Sequence, residues 1–250
     1  MRNPLSKTIE QIKPSGIRKF FDIVSEMPHA ISLGVGEPDF DTPWHVRSEG
    51  IRSLEKGRTF YTSNSGLIEL RQEICKWYQR KYNVLYDYKT EALLTVGGSE
   101  GIDVALRAML DPGDEVIIPE PCYVSYVPCV QLIGAVPVTI ELKNENQFRL
   151  TPEELLAAIT DKTKILILGA VMTKEDLEPI AKICQEKDIY VISDEIYSEL
   201  TYGGQKHCSI SSLPGMKDRT IVINGFSKAY AMTGWRLGYA LAPEVIAHQM

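Results

Sequence analysis

Six short apolar runs recur along this chain, and their alternation with helical patterns is its strongest constraint. They are EALLTV (91–96), DEVIIPE (114–120), AVPVTIEL (135–142), TKILIL (163–168), IYVISDE (189–195) and RTIVING (219–225). Each has strand length and most are rich in Val and Ile. Between them lie segments of helical period. Leu70, Ile74, Trp77 and Tyr78 form an i, i+4, i+7, i+8 stripe within 67–82, and IDVALRAML (102–110) is a second apolar helix. Thr151-Pro152-Glu153-Glu154 and Thr173-Lys174-Glu175-Asp176 each place a capping Thr three residues before an acid. Continuous apolar strands alternating with helices predict an α/β fold, a mainly parallel sheet sandwiched by helices. In such sheets ligands bind beyond the carboxyl ends of the strands, and the polar residues there are the ones to read.

Composition narrows the classes of function. The 250 residues carry 27 Lys and Arg against 33 Asp and Glu, a net charge of −6 with no basic stripe, which argues against nucleic acid and against an anionic membrane surface. The longest apolar stretch, 116–142, is interrupted by Pro119, Glu120, Pro121, Pro128, Gln131 and Pro137, so it does not read as a membrane span. Cys75, Cys122, Cys129, Cys184 and Cys208 are odd in number and widely spaced, and the first twenty residues lack an apolar core of signal-peptide type. Both features predict reduced thiols and a cytoplasmic protein. The first forty-odd residues, punctuated by prolines, read as an N-terminal arm (1–45) preceding one large domain (46–250).

Three strand ends carry polar chemistry. At Gly97-Gly98-Ser99-Glu100-Gly101 a glycine-rich turn opens a helix, where free N–H groups and the helix dipole suit an anion, although such a turn reads equally well as an ordinary loop. It lacks the P-loop lysine, and Gly34-Val35-Gly36 fails as a dinucleotide fingerprint because Asp39 stands at the third glycine. Asp194 and Glu195 end a buried run and read either as a functional pair or as a helix cap. His29, His45, His207 and His248 form no metal-ligand pattern. After the last run, Ser227, Lys228, Gly234 and Arg236 crowd into ten residues. A single lysine is ordinarily a solvated charge. One beside a hydroxyl, just past a buried strand and followed by Arg, suits an amine nucleophile next to an anion site.

The stretch SKAYAMTGWRLG (227–238) resembles the cofactor-attachment signature of class I and II pyridoxal-phosphate-dependent aminotransferases, of the type I fold. LGVGEPDFDTP, YTSNSGLIELR, TVGGSEGIDVALRAMLDPGDEVIIPEPCY and VISDEIYSELTY agree in order and spacing, so the likeness covers nearly the whole chain. The flavour is that of the prokaryotic aspartate, aromatic and acetyl-diaminopimelate aminotransferases. The resemblance implies pyridoxal 5′-phosphate (PLP) as cofactor, amino-acid and 2-oxo-acid substrates, ping-pong kinetics and a homodimer. It implies that Lys228 forms the Schiff base, that Asp194 pairs with the pyridine nitrogen, and that Tyr197 hydrogen-bonds the phenolic oxygen. Gly98, Ser99, Ser227 and Arg236 resemble the phosphate cup, with Glu100 grouped beside them. Tyr123 resembles the ring-stacking aromatic, Tyr61 a tyrosine reaching the neighbouring subunit's cofactor, and Gly36 a glycine touching the substrate carboxylate.

The sequence departs from that pattern twice. A Pro-Asn-x-Pro-Thr-Gly stretch, whose Asn would join Tyr197 at the phenolic oxygen, is absent after TKILIL, where Leu168 runs into Gly169-Ala170-Val171. The likeness is close on both sides, and the expectation is a mobile active-site loop closed up in the numbering between Leu168 and Gly169. The sequence also reaches Met250 without the C-terminal small domain and its carboxylate-binding Arg. Within the same cofactor class a β-lyase or decarboxylase shares the Lys228 and Asp194 machinery. A non-catalytic binding module or a truncated product is the alternative outside it.

Overall fold

The computed structural model describes residues 2–12, 23, 26, 27, 29, 36–169 and 171–250. Gly34, Val35, Pro14 and Pro28 lie outside them. The six apolar runs form strands β1 (Ala92–Thr95), β2 (Glu115–Glu120), β3 (Val136–Glu141), β4 (Thr163–Leu168), β5 (Tyr190–Asp194) and β6 (Thr220–Gly225). A seventh, β7 (Gly238–Leu241), completes one sheet in the order β1-β7-β6-β5-β4-β2-β3. Strands β6, β5, β4, β2 and β3 pair in parallel, as expected, whereas β7 runs antiparallel to both β6 and β1. The apolar-run pattern missed β7 because GYAL is four residues long and contains no β-branched side chain.

Helices cover both faces. Among the described residues they are, in chain order, α1 (Lys7–Gln11), α2 (Trp44–Glu55), α3 (Ile68–Tyr82), α4 (Gly98–Met109), α5 (Tyr126–Leu132), α6 (Pro152–Ala158), α7 (Lys174–Glu186) and α8 (Glu244–Ala247). Thr151 and Thr173 make full capping boxes with Glu154 and Asp176, as their spacing predicts.

The strands show why the sheet is buried twice. Val116, Ile118, Ile165, Ile167, Ile192, Ile221 and Ile223 pack with α4 and α5 on one face. Their neighbours Ile117, Leu166, Leu168 and Val191 point the other way, toward α6 and α7. Val222 joins Ile74, Cys75 and Tyr78 of α3 on that second face. Successive side chains alternate across a strand, so a run buried on both faces must be apolar at every position.

Strand β4 ends at Leu168, and the Thr173 cap opens α7. All five cysteines are free, and among the described residues no helix is long and apolar enough to cross a membrane.

Candidate active site

A cavity of about 460 Å³ lies beyond the carboxyl ends of the parallel strands, where the topology places ligands. Its walls include Gly98, Ser99, Tyr123, Asp194, Tyr197, Ser227, Lys228 and Arg236, so eight positions singled out in the sequence come together in space.

Asp194 ends β5 on the face toward α5, and Tyr126 from that helix donates a 2.7 Å hydrogen bond to its Oδ2. The Ile196 amide reaches Oδ1 at 3.2 Å. Burial pushes the Asp194 carboxyl above its ordinary value, while the Tyr126 and Ile196 donors pull it back. Tyr197 shares the cavity, and burial and the nearby Asp194 both raise its phenol.

Lys228 follows β6 and is half-buried, with its Nζ 5.7 Å from the centre of the Tyr197 ring. Its amine donates to the carbonyl of Gly36, which brings that glycine into the site. Burial lowers the Lys228 amine below the ordinary lysine value, opposed by Glu37 and assisted by Arg236. A lowered lysine is neutral more of the time, as a nucleophilic amine must be.

Gly97 caps α4 with φ +79, a left-handed conformation suited to glycine. A Cβ there would collide with the Arg236 guanidinium. The arginine thus lies against the N-terminal turn of α4, beside Ser99 and Ser227, and a fork of N–H donors joins free helix amides at one corner of the cavity. Ser99 Oγ stands 3.4 Å from Tyr123 Oη, and the Tyr123 and Tyr126 rings meet edge-on at 5.6 Å.

Two expected residues sit elsewhere. Glu100 turns back to accept from the Val96 amide, does not line the cavity and serves the turn instead. Tyr61 is fully exposed and outside the cavity of its own chain. The sequence reading also missed three contributors. Tyr126 is one. Thr42 donates to the Ala231 carbonyl at 2.6 Å and accepts from Trp235 Nε1 at 3.2 Å, tying the segment before α2 to the loop that carries Lys228 and Arg236. Gly169 is the third, since a Cβ on it would come within 2.5 Å of Tyr126 Oη. None of the three carries a local signature.

The donor set fits PLP on its own chemistry: an amine, a carboxylate, an aromatic wall and an anion corner around one cavity. Among the described residues no group of His, Cys, Asp and Glu is arranged to hold a metal ion.

Comparison with known proteins agrees with this geometry. Residues 28–250 match the family described as aminotransferase class I and II. The chain is 45% identical over 253 residues to an aromatic-amino-acid aminotransferase of Thermococcus litoralis, covering 98% of this chain and 65% of that protein. It is 46% identical over 253 residues to an aspartate aminotransferase of Pyrococcus abyssi, with the same coverage. The structure of a Thermus thermophilus aspartate aminotransferase with maleate superposes with a TM-score of 0.92 at 38% identity, covering all of this chain and 67% of that one. The chain spans about two thirds of the length of these relatives.

Proposed function

The chain belongs to the class I and II aminotransferases, and on that premise we propose that it transfers an amino group from an L-amino acid to a 2-oxo acid with PLP held at Lys228. The observation that carries this reading is the convergence of Lys228, Asp194, Tyr197, Tyr123 and Arg236 on one cavity at the strand ends.

When bound, the cofactor supplies an electron sink for the bonds at the substrate's α-carbon. The protein's own groups bind, orient and tune it. Arg236, Ser99, Ser227 and the first amides of α4 hold the phosphate through charge-assisted hydrogen bonds. Asp194 offers a carboxylate to the ring nitrogen and favours its protonated form. Tyr197 presents a hydroxyl to the phenolic oxygen, and Tyr123 walls the ring. Lys228 would hold the cofactor through its amine, and the same amine is placed to move a proton at the substrate α-carbon. Two half-reactions sharing one amino-group carrier make the kinetics ping-pong.

The relatives bear the names of aspartate and aromatic-amino-acid aminotransferases, which supports an acidic or aromatic amino acid as donor. Free cysteines support a reducing, cytoplasmic setting. The exposed Tyr61 supports a homodimer in which that side chain serves the neighbouring copy. A visible spectrum taken with PLP, then with an amino acid, then with 2-oxoglutarate tests the reading. The attached-cofactor band should bleach with the amino acid and return with the oxo acid; a chain that acquires no such band refutes it.

A further inference from the structure

Glu195, the neighbour of Asp194, carries an ionisable group that the proposed chemistry does not use. Alternation along β5 sends Asp194 toward the cavity and Glu195 to the opposite face of the sheet. There it is 1% exposed, and every polar atom it owns is engaged. Its Oε1 accepts from Ser209 Oγ at 2.6 Å and Ser193 Oγ at 3.1 Å, and its Oε2 accepts from Tyr78 Oη at 2.5 Å. Its amide donates to the Ile223 carbonyl at 2.8 Å, and its carbonyl accepts from the Ser198 amide at 2.9 Å. Buried His207 places Nε2 3.4 Å from Oε2. Ser209 in turn meets Ser211 at 2.8 Å.

A buried carboxylate is costly to desolvate, and a hydrophobic residue would fill this space at less expense. What the carboxylate supplies is directional. It ties the turn 194–198, whose two ends carry Asp194 and Ser198, to helix α3 through Tyr78 and to the 207–211 segment through Ser209. Asp194 and Tyr197 lie one residue before and two residues after this anchor, and both face the cavity. We infer that Glu195 is a positioning residue: anchored behind the sheet, it fixes the turn that aims Asp194 and Tyr197 at the cofactor. The inference rests on the reading of the cavity as a PLP site, but the anchoring itself does not require the cofactor.

The experiment compares the whole chain with its Glu195→Ala, Glu195→Gln and Tyr78→Phe variants in two measurements. The first, without cofactor, is amide hydrogen exchange. Glu195→Ala should speed exchange at Ile196 and Ser198 by about tenfold or more, the scale of losing hydrogen bonds to a charged group, while β4 and β6 stay protected. Glu195→Gln, which keeps an acceptor and the shape, should restore most of the protection. Tyr78→Phe, should Glu195→Ala not fold, should give a smaller change at the same amides.

The second measurement is the affinity for PLP and, separately, for inorganic phosphate. Glu195→Ala should weaken PLP by about tenfold and leave phosphate unchanged, because the phosphate corner is built on α4 and Arg236. Unchanged exchange at 196–198, exchange that rises equally across the sheet, or equal losses for PLP and phosphate would each overturn the inference. Should the wild-type chain take up no PLP at all, the proposed function fails, and the exchange measurement still decides whether Glu195 anchors the turn.

Discussion

Tyr126 of α5 donates a 2.7 Å hydrogen bond to Asp194 at the end of β5, joining two residues 68 positions apart in the chain. The bond does two things at once. It fixes which way the carboxylate points, and it lowers a carboxyl that burial alone would push upward. Tyr126 itself is buried and raised, both by desolvation and by the charge of Asp194, so it remains a phenol and a donor throughout the working pH range.

Tyr126→Phe should therefore weaken PLP binding by about tenfold, the scale of one hydrogen bond to a charged group. The loss should fall on the ring contact and not on phosphate affinity. Titration of the chain with PLP, followed by absorbance, checks this; an unchanged affinity would show that Asp194 is held by other means.

Lys228→Ala should abolish the visible band of attached PLP while leaving weaker, non-covalent binding through the Arg236 corner. Borohydride treatment followed by mass spectrometry should add a pyridoxyl group to the wild type and nothing to the variant. Labelling of the variant at full yield would move the attachment to another lysine.

The pH dependence of attachment has a definite sign. Burial lowers the Lys228 amine, so its neutral, nucleophilic form appears at a lower pH than for a free lysine. The attachment rate should rise with pH through a midpoint below the ordinary lysine value. Removing Glu37, whose charge opposes that lowering, should move the midpoint down further. A midpoint at or above the ordinary value would contradict the burial of Lys228.

How much of this was written in the sequence depends on distance along the chain. Strands β1 to β6, the Thr151 and Thr173 capping boxes and the glycine turn before α4 are local patterns, and each is read from fewer than ten residues. Lys228, Asp194 and Arg236 are legible because a strand end places them. Thr42 contacts Ala231 across 189 positions and Tyr78 contacts Glu195 across 117. No periodicity encodes such a pairing; only the packed fold brings the partners together. Glu100 shows the converse relation. Its place beside the anion turn suggested the cup, but a carboxylate in the first turn of α4 finds the backbone amide of Val96 instead.

Gly169 offers the sharpest test, because its role is steric and reciprocal. It follows β4 and lies so close to Tyr126 that a Cβ would come within 2.5 Å of Oη and 3.1 Å of the ring. Gly169→Ala must therefore push Tyr126 aside, and the Tyr126–Asp194 hydrogen bond is the contact that breaks. The variant should lose PLP affinity by about the same factor as Tyr126→Phe, roughly tenfold. The two changes act on one bond, so they should not add. In a Tyr126→Phe background the phenolic oxygen is gone, the closest clash is gone with it, and Gly169→Ala should cost little more. A double-mutant cycle on PLP affinity measures this directly, with an interaction energy of about 1 kcal/mol or more expected for groups in contact. Independent losses that simply add would mean that Gly169 acts through its backbone freedom and not through Tyr126.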